Sequence, residues 1–153
     1  MKQNKTKIGI IAIATFVVIQ FIPTQNLNIS TNNPDDLILN ENIPENVSTL
    51  LKNSCYDCHS QETNLPWYQK VAPVKWLVNG HILEAREHLN FSYWNQLSKA
   101  DKADALDSIS DEVSEKEMPL TSYTLLHQNA KLSNKDRALI VNWADELTES
   151  LFE

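Results

Sequence analysis

The sequence predicts an all-α protein. Glycine is scarce, with two residues in a chain of 153, and the alternation of β-branched and polar residues that marks strands is sparse after position 30. Most of the six prolines stand where a helix could begin or end. We therefore expect one helical domain at residues 44–153, preceded by a targeting segment at residues 1–23 and a polar linker at residues 24–43.

The first 23 residues have the pattern of an export signal. Lys2, Lys5 and Lys7 precede an apolar run from Ile8 to Ile19, and Pro23 ends the segment. Such a segment directs export and leaves the N-terminus in the cytoplasm. About fifteen helical residues reach only about 22 Å, which is short for a span, but no small-residue cleavage site follows. We expect the segment to remain as a membrane anchor, with the domain in the periplasm or extracytoplasmic space; cleavage is the alternative.

The linker at residues 24–43 is polar and would hold the domain off the membrane. A loop packed on the domain is the alternative for its second half, which contains Leu37, Ile38 and Leu39. A first domain helix is expected from Pro44, with Asn42 as its cap, and it runs directly into the cysteine pair. Its apolar face consists of Val47, Leu50 and Leu51.

The only two cysteines of the chain lie in one pentapeptide, Cys55-Tyr56-Asp57-Cys58-His59. Two thiols separated by two residues, with a histidine directly after the second, can attach one haem covalently and ligate its iron from one side. Cys55 and Cys58 are therefore candidate haem-binding residues, through thioether bonds. His59 is the candidate proximal iron ligand.

Three other uses of the cysteine pair are less favoured. A disulfide between Cys55 and Cys58 would close too small a loop to stabilise much. A thiol-redox site would begin a helix after a strand, and the sequence predicts no strand there. Zinc would need a further ligand and a reducing compartment. Because export would expose the pair to an oxidising compartment, haem attachment best explains both thiols.

Residues 60–72 are predicted to be irregular. A proximal histidine normally donates its second ring nitrogen to a carbonyl, and one near Leu65 or Pro66 is the expected acceptor for His59. Trp67 and Tyr68 are candidates either for a wall of the haem pocket or for ordinary core packing.

Pro73 begins the second predicted helix, whose apolar residues form one stripe at spacings of three and four. His81 lies on this stripe, where a histidine is more often a core residue than an iron ligand. An aromatic cluster after the helix is assigned to packing. The stripe consists of Val74, Leu77, Val78, His81, Ile82, Ala85 and Leu89, and the cluster of Phe91, Tyr93 and Trp94.

Two capped helices complete the domain. Ser98 with Asp101 three residues later begins one, and Ser133 with Asp136 begins the other. A short helical piece is expected between them. It runs through Tyr123, Leu126 and His127, and the last helix should bury Leu139, Ile140, Trp143, Leu147 and Leu151.

Met118 is the only methionine after the initiator, and Pro119 keeps it out of a helix. A thioether opposite the imidazole of His59 would give six-coordinate iron with a raised potential, which suits an electron carrier. The alternative is a methionine that fills a gap in the core. His81 and His127 are the less favoured sixth ligands, and either would lower the potential.

Charge excludes nucleic acid as a partner. Three of the 13 basic residues precede residue 23, so the remaining chain carries 10 basic and 20 acidic residues. A redox partner with a basic docking patch fits better, because opposite surface charges accelerate brief encounters. The candidate acidic residues, for which an ordinary solvated helix face is the alternative, are Asp101, Asp104, Asp107, Asp111, Glu112, Glu115 and Glu117.

The cysteine motif, a downstream Met-Pro pair and a closing amphipathic helix resemble a class I c-type cytochrome. More closely, residues 44–149 resemble the small haem-binding domain family of exported bacterial proteins. The residues that carry this resemblance are Cys55 to Ser60, Pro66-Trp67-Tyr68, Pro73, Trp76-Leu77, His88 to Ser92, Trp94, Met118-Pro119, Tyr123, His127, Ala130, Leu132-Ser133 and Trp143.

The resemblance implies a cytochrome-c-like fold and one covalent haem c, bound by Cys55, Cys58 and His59. Met118 is carried over from the general cytochrome pattern. The chain departs from ordinary small cytochromes in the long interval between His59 and Met118, which holds an extra helix and two further histidines.

These observations predict a membrane-tethered mono-haem electron carrier rather than an enzyme, since no Ser-His-Asp or paired-carboxylate arrangement stands out. The rival is a haem enzyme or sensor, peroxidase-like or small-ligand-binding, with an open or displaceable sixth iron position. His81 or His127 would then serve as the acid–base group. A haem-bearing interaction module is a third hypothesis.

Overall fold

A computed structural model describes the backbone of residues 2–153 and the side chains of residues 5–153. Met1 and the side chain of Lys2, both in the predicted targeting segment, lie outside the described part. The prediction of an all-α protein is confirmed, since residues 2–153 contain helices and no strand. The α-helices are α1 (Lys2–Ile19), α2 (Leu37–Asn40), α3 (Glu45–Ser54), α4 (Tyr56–His59), α5 (Val74–His88), α6 (Lys99–Ser114), α7 (Thr121–Leu126) and α8 (Asn134–Ser150).

Short 3₁₀ helices occupy three of the connections, at Trp67–Lys70, Phe91–Gln96 and Gln128–Ala130. Helix α1 carries the apolar run of the N-terminal segment, and its apolar side chains are largely exposed. In the part of the chain that the structure describes, no helix has both the length and the apolar character needed to cross a membrane.

The hydrophobic core lies between α3, α6 and α8. Helix α6 packs along α8, and α3 packs against both α8 and α4. Trp94 and Phe91, from the 3₁₀ helix that follows α5, are fully buried among these helices. Cys58 therefore lies on a short helix that packs directly against the core, and Cys55 lies at the junction of that helix with α3.

Two predicted helix caps are confirmed and one is wrong. The Ser98 hydroxyl accepts a hydrogen bond from Asp101 N at the start of α6, and Ser133 with Asp136 forms a reciprocal capping box on α8. Asn42 is not the cap of α3. Extended backbone at Pro44 makes that proline the residue before the first helical turn, without a side-chain cap.

The predicted buried stripe of α5 is also wrong in part. Ile82 is buried, but Leu77 is 61% exposed and His81 is exposed as well. Helix α5 packs against α4 and the Trp67–Lys70 helix, and these neighbours cover only part of the apolar stripe. Periodicity alone could not show which part of a wide stripe would find a neighbour.

Residues 20–30, which we call the strap, run along α5. The Gln20 side chain pairs with the buried backbone of Ala72, donating to its carbonyl at 3.2 Å and accepting from its N–H at 2.9 Å. Side chains of α5 bind strap carbonyls in return: Lys75 donates to Gln20 O at 2.9 Å, Asn79 to Gln25 O at 2.6 Å, and Arg86 to Leu27 O. Further along, Leu37 is fully buried in the core.

Candidate functional site

The two cysteines lie at the junction of α3 and α4. Cys55 ends α3, with its N–H bound to Leu51 O at 2.9 Å, and its own carbonyl accepts from Cys58 N at 3.1 Å and from His59 N at 2.9 Å. This hydrogen-bonded turn brings Cys55 and Cys58 to the same side of α4. Both thiols are free and half-buried.

The thiols have the chemistry of buried cysteines. Burial raises the pKa of Cys55 to about 12, with a further contribution from Cys58. Burial, and then the charge of Asp57, raises the pKa of Cys58 to about 11. Reactive cysteines have lowered values, so these two are poorly suited to thiol exchange. Within residues 5–153, no cluster of three or more His, Cys, Asp or Glu side chains is arranged to hold a metal ion such as zinc.

His59 is held by the C-terminal end of α5. Its Nδ1 lies 3.2 Å from the carbonyl oxygen of Leu89, so the expected acceptor near Leu65 or Pro66 is wrong. The last carbonyls of a helix have no partner within that helix and are available to outside donors. With Nδ1 engaged, Nε2 is the ring nitrogen left for a metal.

Burial keeps His59 in its neutral form. Removal from water lowers the pKa of His59, although hydrogen bonding to the Leu89 and Ala85 carbonyls acts in the opposite direction. Neutral imidazole is the form that binds metals. His59 is therefore held both in orientation and in protonation state for ligation.

The segment after α5 packs against the cysteine motif and binds the loop that follows it. The Phe91 ring stacks on Tyr56 with centroids 5.1 Å apart and lies 6.2 Å from the His59 ring. The Ser92 hydroxyl accepts a hydrogen bond from Gln61 N at 2.9 Å. Residues 88–92, which carried part of the sequence resemblance, thus bind both the motif and the loop that follows it.

Arg86 fixes the loop after His59. Its guanidinium donates to Ser60 O at 2.9 Å and to Thr63 Oγ1 at 2.8 Å, in addition to the strap carbonyl of Leu27. Ser60 is fully buried, and its hydroxyl donates to Tyr56 O at 2.8 Å. Sequence reasoning missed Arg86 because no motif identifies an arginine that binds carbonyls.

Asp57, between the two cysteines, connects α4 to α7. Its Oδ2 accepts from the Tyr123 hydroxyl at 2.7 Å and its Oδ1 from Asn64 N at 2.9 Å. Sequence reasoning missed this link as well. The one available signal was that Tyr123 belonged to the residues that carried the family resemblance.

The structure places the two alternative histidines differently. His127 stacks on Tyr123 with ring centroids 4.0 Å apart, and both of its ring nitrogens are engaged. Nδ1 lies 3.0 Å from Tyr123 O, and Nε2 lies 3.1 Å from the Tyr68 hydroxyl. His81 is exposed on α5. His127 is thereby linked through Tyr123 to Asp57, whereas His81 is not part of this network.

Met118 lies in the loop between α6 and α7, outside any helix, as Pro119 predicts. Its side chain is half-buried and Pro119 is buried. Its N–H donates to Glu112 O at 3.1 Å. Because Tyr123 ties α7 to Asp57, the loop is connected to the cysteine motif at its far end.

A polar groove of about 610 Å³ opens beside α4. It is bordered by Tyr56 and Asp57, the two middle residues of the motif, and by Tyr123 and His127 on the facing side. Neither cysteine nor His59 lines it, so this groove is distinct from the side of α4 where the two thiols and the imidazole lie.

The donor set fits a covalently attached haem. Two unlinked thiols on one turn of helix can form two thioether bonds, and an oriented neutral imidazole follows directly. Thiol exchange is disfavoured by the raised pKa values of Cys55 and Cys58. Zinc is disfavoured because the described residues offer no further ligands.

One family model, described as a haem-binding domain, matches residues 14–146. The match covers more than half of the chain and contains the cysteine motif, α5, the Met118 loop and most of α8. No curated protein and no solved structure matches the sequence.

Proposed function

The chain belongs to the haem-binding domain family, and from this premise we propose that it is a mono-haem c-type cytochrome that transfers electrons. Haem binding follows from the family, whereas covalent attachment, six-coordinate iron and electron transfer are the proposal. The observation that carries it is at α4, where two unlinked thiols are followed by an imidazole whose Nδ1 lies 3.2 Å from Leu89 O.

Three residues at the junction of α3 and α4 would hold the haem. Cys55 and Cys58 would form the thioether bonds, and His59 would bind the iron through Nε2. The Leu89 carbonyl fixes the orientation and tautomer of His59, because it engages Nδ1. Bound haem supplies one-electron chemistry at its iron.

Met118 completes the proposed ligand set. Its loop leads into α7, and Tyr123 on α7 binds Asp57, the residue next to Cys58, at 2.7 Å. The alternatives fit less well: His127 would have to give up a hydrogen bond to ligate, and His81 is exposed. Ligation by both His59 and Met118 would leave the iron no open position, and the protein would then carry electrons.

Carbon monoxide tests this ligand set. The ferrous protein should bind carbon monoxide poorly, and the ferric protein should show the weak far-red methionine-to-iron band. Met118→Ala should lose the band and bind carbon monoxide readily. Leu125→Ala, at a position of α7 that is 69% exposed, is the control and should change neither property.

A haem enzyme or sensor is the second candidate function. The observation that favours it is the 3.1 Å contact between the Tyr68 hydroxyl and His127 Nε2, which joins two acid–base groups close to the motif. Ready carbon monoxide binding by the unmodified ferrous protein would support this candidate and contradict a firm Met118 ligand.

We further propose that the protein is exported and tethered by its N-terminal segment. The support is the sequence pattern, in which three lysines precede the apolar run from Ile8 to Ile19. After cell fractionation, the protein should sediment with membranes and be degraded by protease added outside the inner membrane. Release in soluble form from the periplasm would contradict the tether and support cleavage.

The acidic side of α6 is the proposed docking patch for a basic redox partner. Asp104, Asp107, Asp111 and Glu112 are exposed along this helix. Electron exchange with a basic redox protein should slow as ionic strength rises, because salt screens the attraction between the two charged surfaces. At 0.1 M the Debye length is about 10 Å, and attraction over longer distances is largely lost. A rate independent of salt would contradict the patch.

A further inference from the structure

Met118 is held at both of its backbone polar groups by helices that lie outside its loop. Its N–H donates to Glu112 O in α6 at 3.1 Å. Its carbonyl accepts from Arg137 Nη1 in α8 at 2.7 Å. The backbone on either side of the Met118 side chain is therefore fixed to the α6–α8 pair.

Arg137 joins the loop to the end of α6. The same Nη1 donates to Val113 O at 2.7 Å, and Val113 is among the last residues of that helix. A cation at this end is favoured by the helix dipole and by carbonyls that lack a partner within the helix. The planar guanidinium is half-buried and always charged, so it offers a rigid donor to both carbonyls.

The surroundings of this contact are well packed. Helices α6 and α8 form the most extensive helix pair of the domain. Ile109 and Val113 of α6 and Ile140 of α8 are buried. A loop fixed to such a pair moves with the core rather than independently. Without Arg137, the Met118 carbonyl would lose this partner.

We propose that Arg137 is a positioning residue that holds Met118 in place for iron ligation. The inference rests on the proposed function, because Met118 needs to be positioned only if it is the sixth ligand. A thioether is a weak ligand to iron compared with imidazole, so its occupancy depends on how well the protein holds it. Arg137 touches the Met118 backbone and acts through it.

The experiment compares Arg137→Ala, Arg137→Lys and Lys135→Ala in the haem-loaded full chain. Lys135 is a neighbouring, exposed cation of α8 and serves as the matched control. The measurements are the far-red methionine-to-iron band of the ferric protein, carbon monoxide affinity of the ferrous protein, and the melting temperature. Met118→Ala provides the spectrum of the protein without a methionine ligand.

Arg137→Ala should weaken the far-red band and raise carbon monoxide affinity about tenfold, which corresponds to one hydrogen bond to a charged group. Arg137→Lys should restore part of the band, because an ammonium can bind a carbonyl but lacks the rigid fork. Lys135→Ala should match the unmodified protein. If Arg137→Ala does not fold, a reduced band in folded Arg137→Lys carries the same conclusion.

Two negative results are distinguishable. If the unmodified protein shows the band, Met118→Ala loses it and both Arg137 variants keep it in full, Arg137 has a structural role only and the inference is overturned. A lowered melting temperature with an unchanged band has the same meaning. If the unmodified protein lacks the band and binds carbon monoxide readily, the proposed ligand set fails and the inference fails with it.

Discussion

Asp57 lies between the two cysteines, at a position that the proposed haem attachment would not use, and its side chain has a structural role. Its carboxylate accepts from Tyr123 and from Asn64 N, while its carbonyl accepts from the Thr63 hydroxyl at 2.8 Å. Burial and the Asp57 carboxylate raise the pKa of Tyr123, which keeps the phenol protonated as a donor. Three segments of the chain thereby meet at one residue of α4.

Removing the Tyr123 hydroxyl should lower the stability of the folded protein. Tyr123→Phe should lower the free energy of unfolding by about 2 kcal/mol, because a partly buried hydrogen bond to a charged group is lost. The control is Tyr93→Phe, whose hydroxyl accepts from Gln61 at an exposed site. Chemical denaturation measures both variants. Equal, small effects would show that the Asp57 link contributes little.

The buried, neutral state of His59 should make the haem-free protein sensitive to acid. Its folded pKa lies below the ordinary 6.5, so its contribution to stability is present above about pH 6.5 and is lost as pH falls through the folded value. A Cys55→Ser/Cys58→Ser protein should therefore lose stability as pH falls below about 6.5.

Substitution in the haem-free Cys55→Ser/Cys58→Ser protein can show whether His59 causes this loss of stability at acid pH. His59→Gln should flatten this part of the pH profile, whereas His81→Gln, at an exposed position of α5, should leave it unchanged. Denaturant midpoints at several pH values measure the slope. An unchanged slope in His59→Gln would contradict the assignment.

At the scale of elements, the end of α6 determines the position of the loop that contains Met118. Lys116 has a φ of 68°, in the left-handed region. The Lys116 N–H lies 3.3 Å from Val113 O and the Glu117 N–H lies 3.0 Å from Glu112 O. These are the two hydrogen bonds of a Schellman helix end, which usually has glycine at the left-handed position.

Glycine at this position should therefore stabilise the protein. Lys116→Gly should raise the free energy of unfolding by about 1 kcal/mol, since a side chain in the left-handed region costs about 1–2 kcal/mol and the extra flexibility of unfolded glycine offsets part of that gain. Lys116→Ala keeps the Cβ and should bring no such gain. If the two variants have the same stability, the left-handed strain is not the cause.

Sequence reasoning found the elements whose signals are local. The caps at Ser98 and Ser133 depend on side chains a few residues apart, and both were predicted. The acceptor for His59 was predicted wrongly, because any residue has a carbonyl and nothing in the sequence marks the one at Leu89. The exposed part of α5 was missed because burial depends on neighbours that are distant in the chain.

At the scale of the whole molecule, the strap connects the N-terminal segment to the side of the domain that carries the cysteine motif. Ala72 is fully buried, and both of its backbone groups are paired with the Gln20 side chain. Arg86 binds the strap at Leu27 and the loop after His59 at Ser60. The strap is thus linked to the cysteine motif through one arginine. Composition alone predicted a polar linker for much of this segment. The strap is bound through its backbone carbonyls, and the sequence cannot distinguish polar residues bound in this way from solvent-exposed ones.

Loss of the Gln20 side chain should weaken the attachment of the strap at Ala72 and lower the stability of the protein. Gln20→Ala leaves the buried N–H and carbonyl of Ala72 without their partner, which should lower stability by about 1 to 2 kcal/mol. Gln25→Ala is the control, because Gln25 is bound through its backbone carbonyl. Amide exchange should quicken at Ala72 in Gln20→Ala alone. Unchanged exchange would show that the strap does not protect this turn.

The covalent attachment of haem through Cys55 and Cys58 is tested most directly by the mass of the denatured protein. The chain would be produced in cells that attach haem c and then analysed by intact mass spectrometry after unfolding. Covalent attachment predicts the mass of the chain plus one haem, and the Cys55→Ser/Cys58→Ser variant should have the mass of the chain without haem. The mass of the bare chain, with haem that can be extracted by acidified organic solvent, would contradict it.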